Sequence, residues 1–168
     1  MNAVSRGCPI RQESDDDSEM RNAAAIAGLL VIASPLCLLR AQTPAAESRT
    51  VWDGVFTEEQ AKRGEPIYRK ECAACHGDML TGGESSPPLT GGAFLANWNG
   101  LTMGDLFDRI RKTMPQSAPG RLTRQQDADI LAFLLSVNKF PAGKTELYRQ
   151  LEMLKEIRFE AAKPAPKK

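Results

Sequence analysis

Cys72-Ala73-Ala74-Cys75-His76 is the stretch that decides how this chain is read. Two cysteines three positions apart, followed at once by histidine, have the spacing of a covalent c-type haem attachment site. The thiols can form thioether bonds to the two vinyl groups on one haem edge. The imidazole of His76 then starts where the second thioether ends and can serve as the proximal iron ligand. Three other readings compete. A structural zinc site needs four ligands, but His76 is the only histidine and the remaining cysteines, Cys8 and Cys37, lie in the N-terminal leader. A thioredoxin-like redox pair needs a βαβ context, and no strand pattern flanks the motif. A chance occurrence in a buried helix leaves the order of the three residues unexplained.

Outward from the motif, helix signals dominate. Thr57-Glu58-Glu59-Gln60 predicts a capping box opening a helix to about Glu71, with Ala61, Gly64, Tyr68 and Cys72 on one face. Glycine within that face costs about 1 kcal/mol against alanine, so Gly64 marks a place where another helix crosses closely. After His76 come Gly77, Gly82-Gly83, Pro87-Pro88-Leu89 and Gly91-Gly92, which predict a loop. A carbonyl of the Pro87-Pro88 segment is the candidate acceptor for the second ring nitrogen of His76; stiffening of a turn is the other reading of these prolines. Phe94, Leu95 and Trp98 form an apolar patch, in which the Trp98 indole could reach a haem propionate or simply pack in the core. Thr102, with Asp105 at N3, predicts a helix over 103–112 that buries Leu106, Phe107 and Ile110. Thr123 with Gln126 predicts another over 124–137, buried through Ile130, Leu131, Phe133, Leu134 and Val137. Leu147, Leu151 and Leu154 predict a last amphipathic helix within 145–158.

A single histidine excludes bis-histidine ligation within the chain, so the sixth ligand is sought among methionines, whose soft thioether favours the reduced iron. Met79 is too close to His76, Met153 lies beyond the core, and Met103 starts a helix. Met114, on a loop before Pro115, is the first choice and Met103 the second. If Met114 is core filler instead, the site is five-coordinate and open to a small gas.

The rest of the chain sets the context. The 168 residues carry a formal net charge of +1, which argues against a nucleic-acid partner. Residues 1–19 are polar and acidic and read as a non-native or cytoplasmic extension. Residues 20–41, with the apolar run Ala23 to Leu39, read as a signal peptide or membrane anchor; the run is about 17 residues, near the lower limit for a span. Membrane association is expected only through 23–39, if that segment is retained. The further divisions are a linker at 42–56, a haem domain at 57–140, an extra helix within 141–160 and a disordered tail at 161–168.

The ordered set Gly64, Tyr68, Cys72-x-x-Cys75-His76, Pro87-Pro88-Leu89, Met114-Pro115 and the closing helix through Ala128 to Leu134 resembles the class I monohaem cytochrome c family, over about Thr57 to Asn138. A weaker likeness is to the small cytochromes and cytochrome subunits that serve periplasmic quinoprotein dehydrogenases. The resemblance implies an all-α, cytochrome c-like fold of three to five helices around one covalent haem c, with the first and last helices crossing so that Gly64 and Tyr68 pack on Ile130 and Phe133. It places Pro88 and Leu89 in the haem pocket, with Trp98. The expected function is periplasmic electron transfer between redox proteins, a dehydrogenase donor and an oxidase or another cytochrome as acceptor. Lys70, Arg111 and Lys112 are steering charges or merely solvated ones. Two alternatives remain: a haem subunit docked on a dehydrogenase through the extra C-terminal helix, and an open-site haem that binds a gas or peroxide. The absence of a second histidine as acid–base group counts against the latter.

Overall fold

The computed structural model describes residues 49–84 and 86–165. The expectations for 1–19, 20–41 and most of the linker lie outside the described residues.

The elements in chain order are strand β1 (Arg49–Thr50), helices α1 (Glu58–Glu71), α2 (Ala73–His76), α3 (Gly91–Trp98), α4 (Met103–Thr113), α5 (Arg124–Val137) and α6 (Leu151–Lys155), and strand β2 (Ile157–Arg158). The helical class stands. Two of the six helices are single turns, α2 and α6. Among the described residues the all-α fold is supplemented by the two-residue parallel pairing of β1 with β2, in register Arg49 with Ile157 and Thr50 with Arg158, and by an isolated bridge between Thr102 and Arg158.

Thr57 caps α1 by accepting from Gln60 N at 3.1 Å. Glu58 and Glu59 stand in its first turn and Arg69 and Lys70 in its last, as the helix dipole favours. The helix continues through Pro66, although an interior proline ordinarily costs roughly 3 kcal/mol. The cost is tolerated because the face carrying Ala61, Gly64 and Tyr68 is buried and α1 makes its main contact with α5. A Cβ built on Gly64 would overlap the Asp129 carbonyl and sit 2.9 Å from Phe133 Cβ, so glycine is what permits this crossing. Tyr68 packs on Phe133 with ring centroids 5.4 Å apart.

Helices α4 and α5 begin with complete capping boxes, Thr102 with Asp105 and Thr123 with Gln126. Leu106 and Phe107 are buried as expected, whereas Ile110, Phe133 and Val137 are only partly covered. On α5 the buried set includes two acids, Asp127 and Asp129. Asp129 is fully engaged: Arg63 donates to it at 3.3 and 3.1 Å and Gln125 at 2.9 Å.

Three sequence expectations are corrected. The capping box at Thr57 is half made, because the buried Gln60 amide is used elsewhere: it donates to Leu147 O at 3.1 Å and accepts from Leu147 N at 2.6 Å. Those bonds also correct the extra helix within 141–160. With the Leu147 N–H and C=O held by Gln60, and Gly143 N bonded to Phe56 O at 2.6 Å, this backbone is tied to the domain instead of to a helical ladder. Only Leu151–Lys155 is helical. Finally, the segment taken as linker already belongs to the fold by Arg49, since Val51, Val55 and Phe56 are buried. The domain therefore runs from Arg49 to about Glu160, where Trp52 Nε1 donates to Glu160 O at 2.8 Å. At the tail, Ala161 N still donates to Asn99 Oδ1 at 2.9 Å.

Gln60→Leu is expected to cost about 2–6 kcal/mol, because it leaves two buried backbone groups of Leu147 unpaired at about 1–3 kcal/mol each. Urea unfolding should show a lower midpoint at an unchanged slope. An unchanged midpoint would mean that the C-terminal strap is held by its apolar side chains alone.

Candidate functional site

The attachment motif sits where α1 ends. Cys72 is the C-cap of α1, its N–H bonded to Tyr68 O at 2.8 Å, and Cys75 and His76 follow on the single turn α2. Cys72 is half-buried and Cys75 exposed, and both are free thiols. Burial, reinforced by the charge of Asp127, pushes the Cys72 thiol up to about 11, so it is protonated at neutral pH.

His76 is 8 % exposed. Its Nδ1 lies 2.8 Å from the carbonyl oxygen of Pro87. A carbonyl oxygen can only accept, so Nδ1–H is the donor in this contact, and Nε2 is the ring nitrogen left to bind a metal. Pro87 is thus the acceptor sought in the Pro87-Pro88 segment.

The loop that delivers this carbonyl is laced internally. Gly82 N donates to His76 O at 2.9 Å, Gly83 N to Ser86 O at 2.9 Å and Leu89 N to Leu80 O at 2.8 Å. Gly82 has φ +79, and a Cβ there would press on Ser86 O at 2.5 Å and Pro88 N at 2.8 Å. From α1, the Tyr68 hydroxyl donates to Gly77 O at 2.7 Å. Burial pushes that phenol up to about 12, so it stays a donor over any physiological range.

The two free thiols and the pre-set imidazole fit a covalently held haem as a donor set. They do not fit a protein-only metal centre, and no group of three or more metal-binding side chains occurs among the described residues.

Met114 is the C-cap of α4. Its N–H bonds Ile110 O at 2.9 Å, and its backbone is extended, so the chain leaves the helix at this residue. Its side chain is partly buried. The alternatives differ: Met103 is 0 % exposed within the core, Met79 is 76 % exposed and Met153 44 %. Pro88, Leu89 and Trp98 are all partly covered.

Residues 59–134 match the sequence profile of the family described as cytochrome c oxidase, cbb3-type, subunit III. This segment is a c-type cytochrome domain. Among solved structures, the sulfane dehydrogenase SoxCD from Paracoccus pantotrophus is similar at 22% identity and a TM-score of 0.42, over 74% of this chain and 68% of that one. No curated protein matches the chain.

In the cytochrome domain, several supporting residues carry no sequence signal. Asn138, at the end of α5, donates to Leu89 O at 3.0 Å and accepts from Gly91 N at 3.1 Å. It therefore pins the Pro87 loop and caps α3, a helix that the glycine run at 91–92 disguised as loop. Arg121, in the segment after Met114, pairs with Glu71 beside Cys72. Asn and Arg occur at many surface positions, and only proximity in the fold gives these two a task. The three basic residues considered for steering are each paired: Lys70 with Glu71 at 3.7 Å, Lys112 with Asp108 at 2.7 Å and Arg111 with Asp127 at 3.4 Å.

Proposed function

We propose that this cytochrome is a periplasmic electron carrier with one haem c, bound through Cys72 and Cys75 and ligated by His76 and Met114. The observation that carries the reading is the 2.8 Å contact between His76 Nδ1 and Pro87 O, which prepares the opposite ring nitrogen for iron. Once bound, haem c supplies an iron that cycles between the ferric and ferrous states. His76 contributes an imidazole whose orientation the Pro87 loop has already set. Met114 contributes a thioether from the point where α4 gives way to loop. Ligands that stay bound in both oxidation states keep rearrangement small, which suits one-electron exchange with redox proteins through small, transient contacts.

Export to the periplasm is supported by the apolar run Ala23 to Leu39 and by the chemistry of the motif, since c-type haem is attached outside the cytoplasmic membrane. The C-terminal segment is used by the domain itself, with Leu147, Leu154, Ile157 and Phe159 buried. That favours a free carrier over a subunit held through this segment.

Optical spectra of the exported holoprotein, oxidised and reduced, with and without carbon monoxide, test the reading. A methionine–iron charge-transfer band with no carbon monoxide shift is the expected result. A prompt shift would mean an open site and would move gas or peroxide chemistry to first place.

A further inference from the structure

We propose that Asp127 is a proton-binding group linked to the oxidation state of the haem iron, so that electron uptake by this cytochrome is accompanied by proton uptake from water. The inference rests on the haem attachment proposed at Cys72.

The two buried carboxylates of α5 differ in how they are satisfied. Asp129 has three donated hydrogen bonds from Arg63 and Gln125, so both its oxygens are satisfied. Asp127 is 1 % exposed, yet its Oδ1 has no hydrogen-bond partner among the described residues. Its Oδ2 has one long contact, 3.4 Å from Arg111 Nη1. A carboxylate so placed gains little from its surroundings, whereas the neutral acid loses little. Burial accordingly pushes Asp127 up to about 6, and Arg111 pulls in the opposite direction without cancelling it.

Position gives this group its consequence. Asp127 is bonded at 3.4 Å to Arg111, in the last turn of the helix that Met114 ends, and its charge also raises the Cys72 thiol, so the carboxylate is tied to the segments that carry a thioether sulfur and the proposed distal ligand. Several other charges near this end of the packed elements have their own partners. Glu71 at the end of α1 is matched with Arg121 and Lys70, and Lys112 on α4 with Asp108. Arg111 is the one cation among the described residues that pairs with Asp127.

Ferric iron carries one more positive charge than ferrous iron, so reduction raises the proton affinity of a nearby carboxylate. The balanced step joins Fe(III) and the Asp127 carboxylate with one electron from the donor protein and one proton from water. It yields Fe(II) and the Asp127 carboxylic acid. Oxidation reverses it. The reduction potential must then fall as pH rises through a window around the Asp127 pKa and level off on either side, on top of any contribution from the haem propionates.

The experiment is a spectroelectrochemical titration of the holoprotein over about pH 4 to 8, which spans the carboxylate and imidazole ranges. Asp127→Asn and Arg111→Gln are measured beside the unmodified protein. The expected result is a step in the unmodified protein that is absent in Asp127→Asn. In Arg111→Gln the step moves to higher pH, because the cation favouring the carboxylate is gone. Superimposable profiles for the unmodified protein and Asp127→Asn would overturn the proposal. Should Asp127→Asn not fold, an unmoved step in Arg111→Gln overturns it equally. Failure of the haem reading would show itself separately, as an exported protein with no haem absorption.

Discussion

Gly64→Ala is expected to destabilise the holoprotein by about 2–3 kcal/mol, toward the upper end of what overpacking costs. Helix propensity alone predicts the opposite sign, since alanine in place of a mid-helix glycine gains about 1 kcal/mol. Geometry decides between the two. The added methyl would overlap the carbonyl of Asp129 and stand 2.9 Å from Phe133 Cβ. The first of these is backbone of α5 and cannot swing aside, so the helices must separate. Separation also loosens the Tyr68–Phe133 contact and the Arg63–Asp129 pair. The matching control is Gly92→Ala on α3, where a Cβ meets nothing within 4 Å; it should be neutral or slightly stabilising. Thermal unfolding of the two holoproteins checks the pair. Equal melting temperatures would show that the α1–α5 crossing has slack that the structure does not display.

The second large effect is expected from Met114→Ala. The methionine–iron charge-transfer band should vanish, carbon monoxide should bind promptly to the reduced protein, and the potential should fall. Axial ligands command a span of roughly 0.8 V in haem proteins, so the fall should be large compared with any pH effect at Asp127. Haem attachment should survive, because it depends on Cys72, Cys75 and His76. The rival is Met103→Leu. Met103 is fully buried, and a volume-conserving swap in the core costs less than about 1.5 kcal/mol with the band intact. Loss of the band in Met103→Leu and its retention in Met114→Ala would reassign the ligand.

Local signals were legible where the chain satisfies its own needs. Thr102 with Asp105 and Thr123 with Gln126 close their capping boxes within four residues, so α4 and α5 begin where the sequence places them. The attachment motif is local for the same reason: five adjacent residues contain both thiols and the imidazole. Gly64 was legible as an anomaly, a residue whose cost in a helix demands a close neighbour.

What the tertiary structure alone decided involves partners far apart in sequence. Gln60 looks like the second half of a capping box, but Leu147, 87 residues away, offers its amide two buried bonds and takes it. The leucine spacing at 147, 151 and 154 is helical, yet the Leu147 backbone is fastened to Gln60 and only Leu151–Lys155 forms a helix. Helix α3 opens at a glycine pair because Asn138 caps it from the end of α5. Asp127 reads as an ordinary first-turn acid; packing against α1 and α4 makes it a buried carboxylate with one unpaired oxygen. Sequence by itself determines which groups are present and which local bonds are cheap. Only the packed fold decides which polar groups lose water, and hence which must find a distant partner or hold a proton.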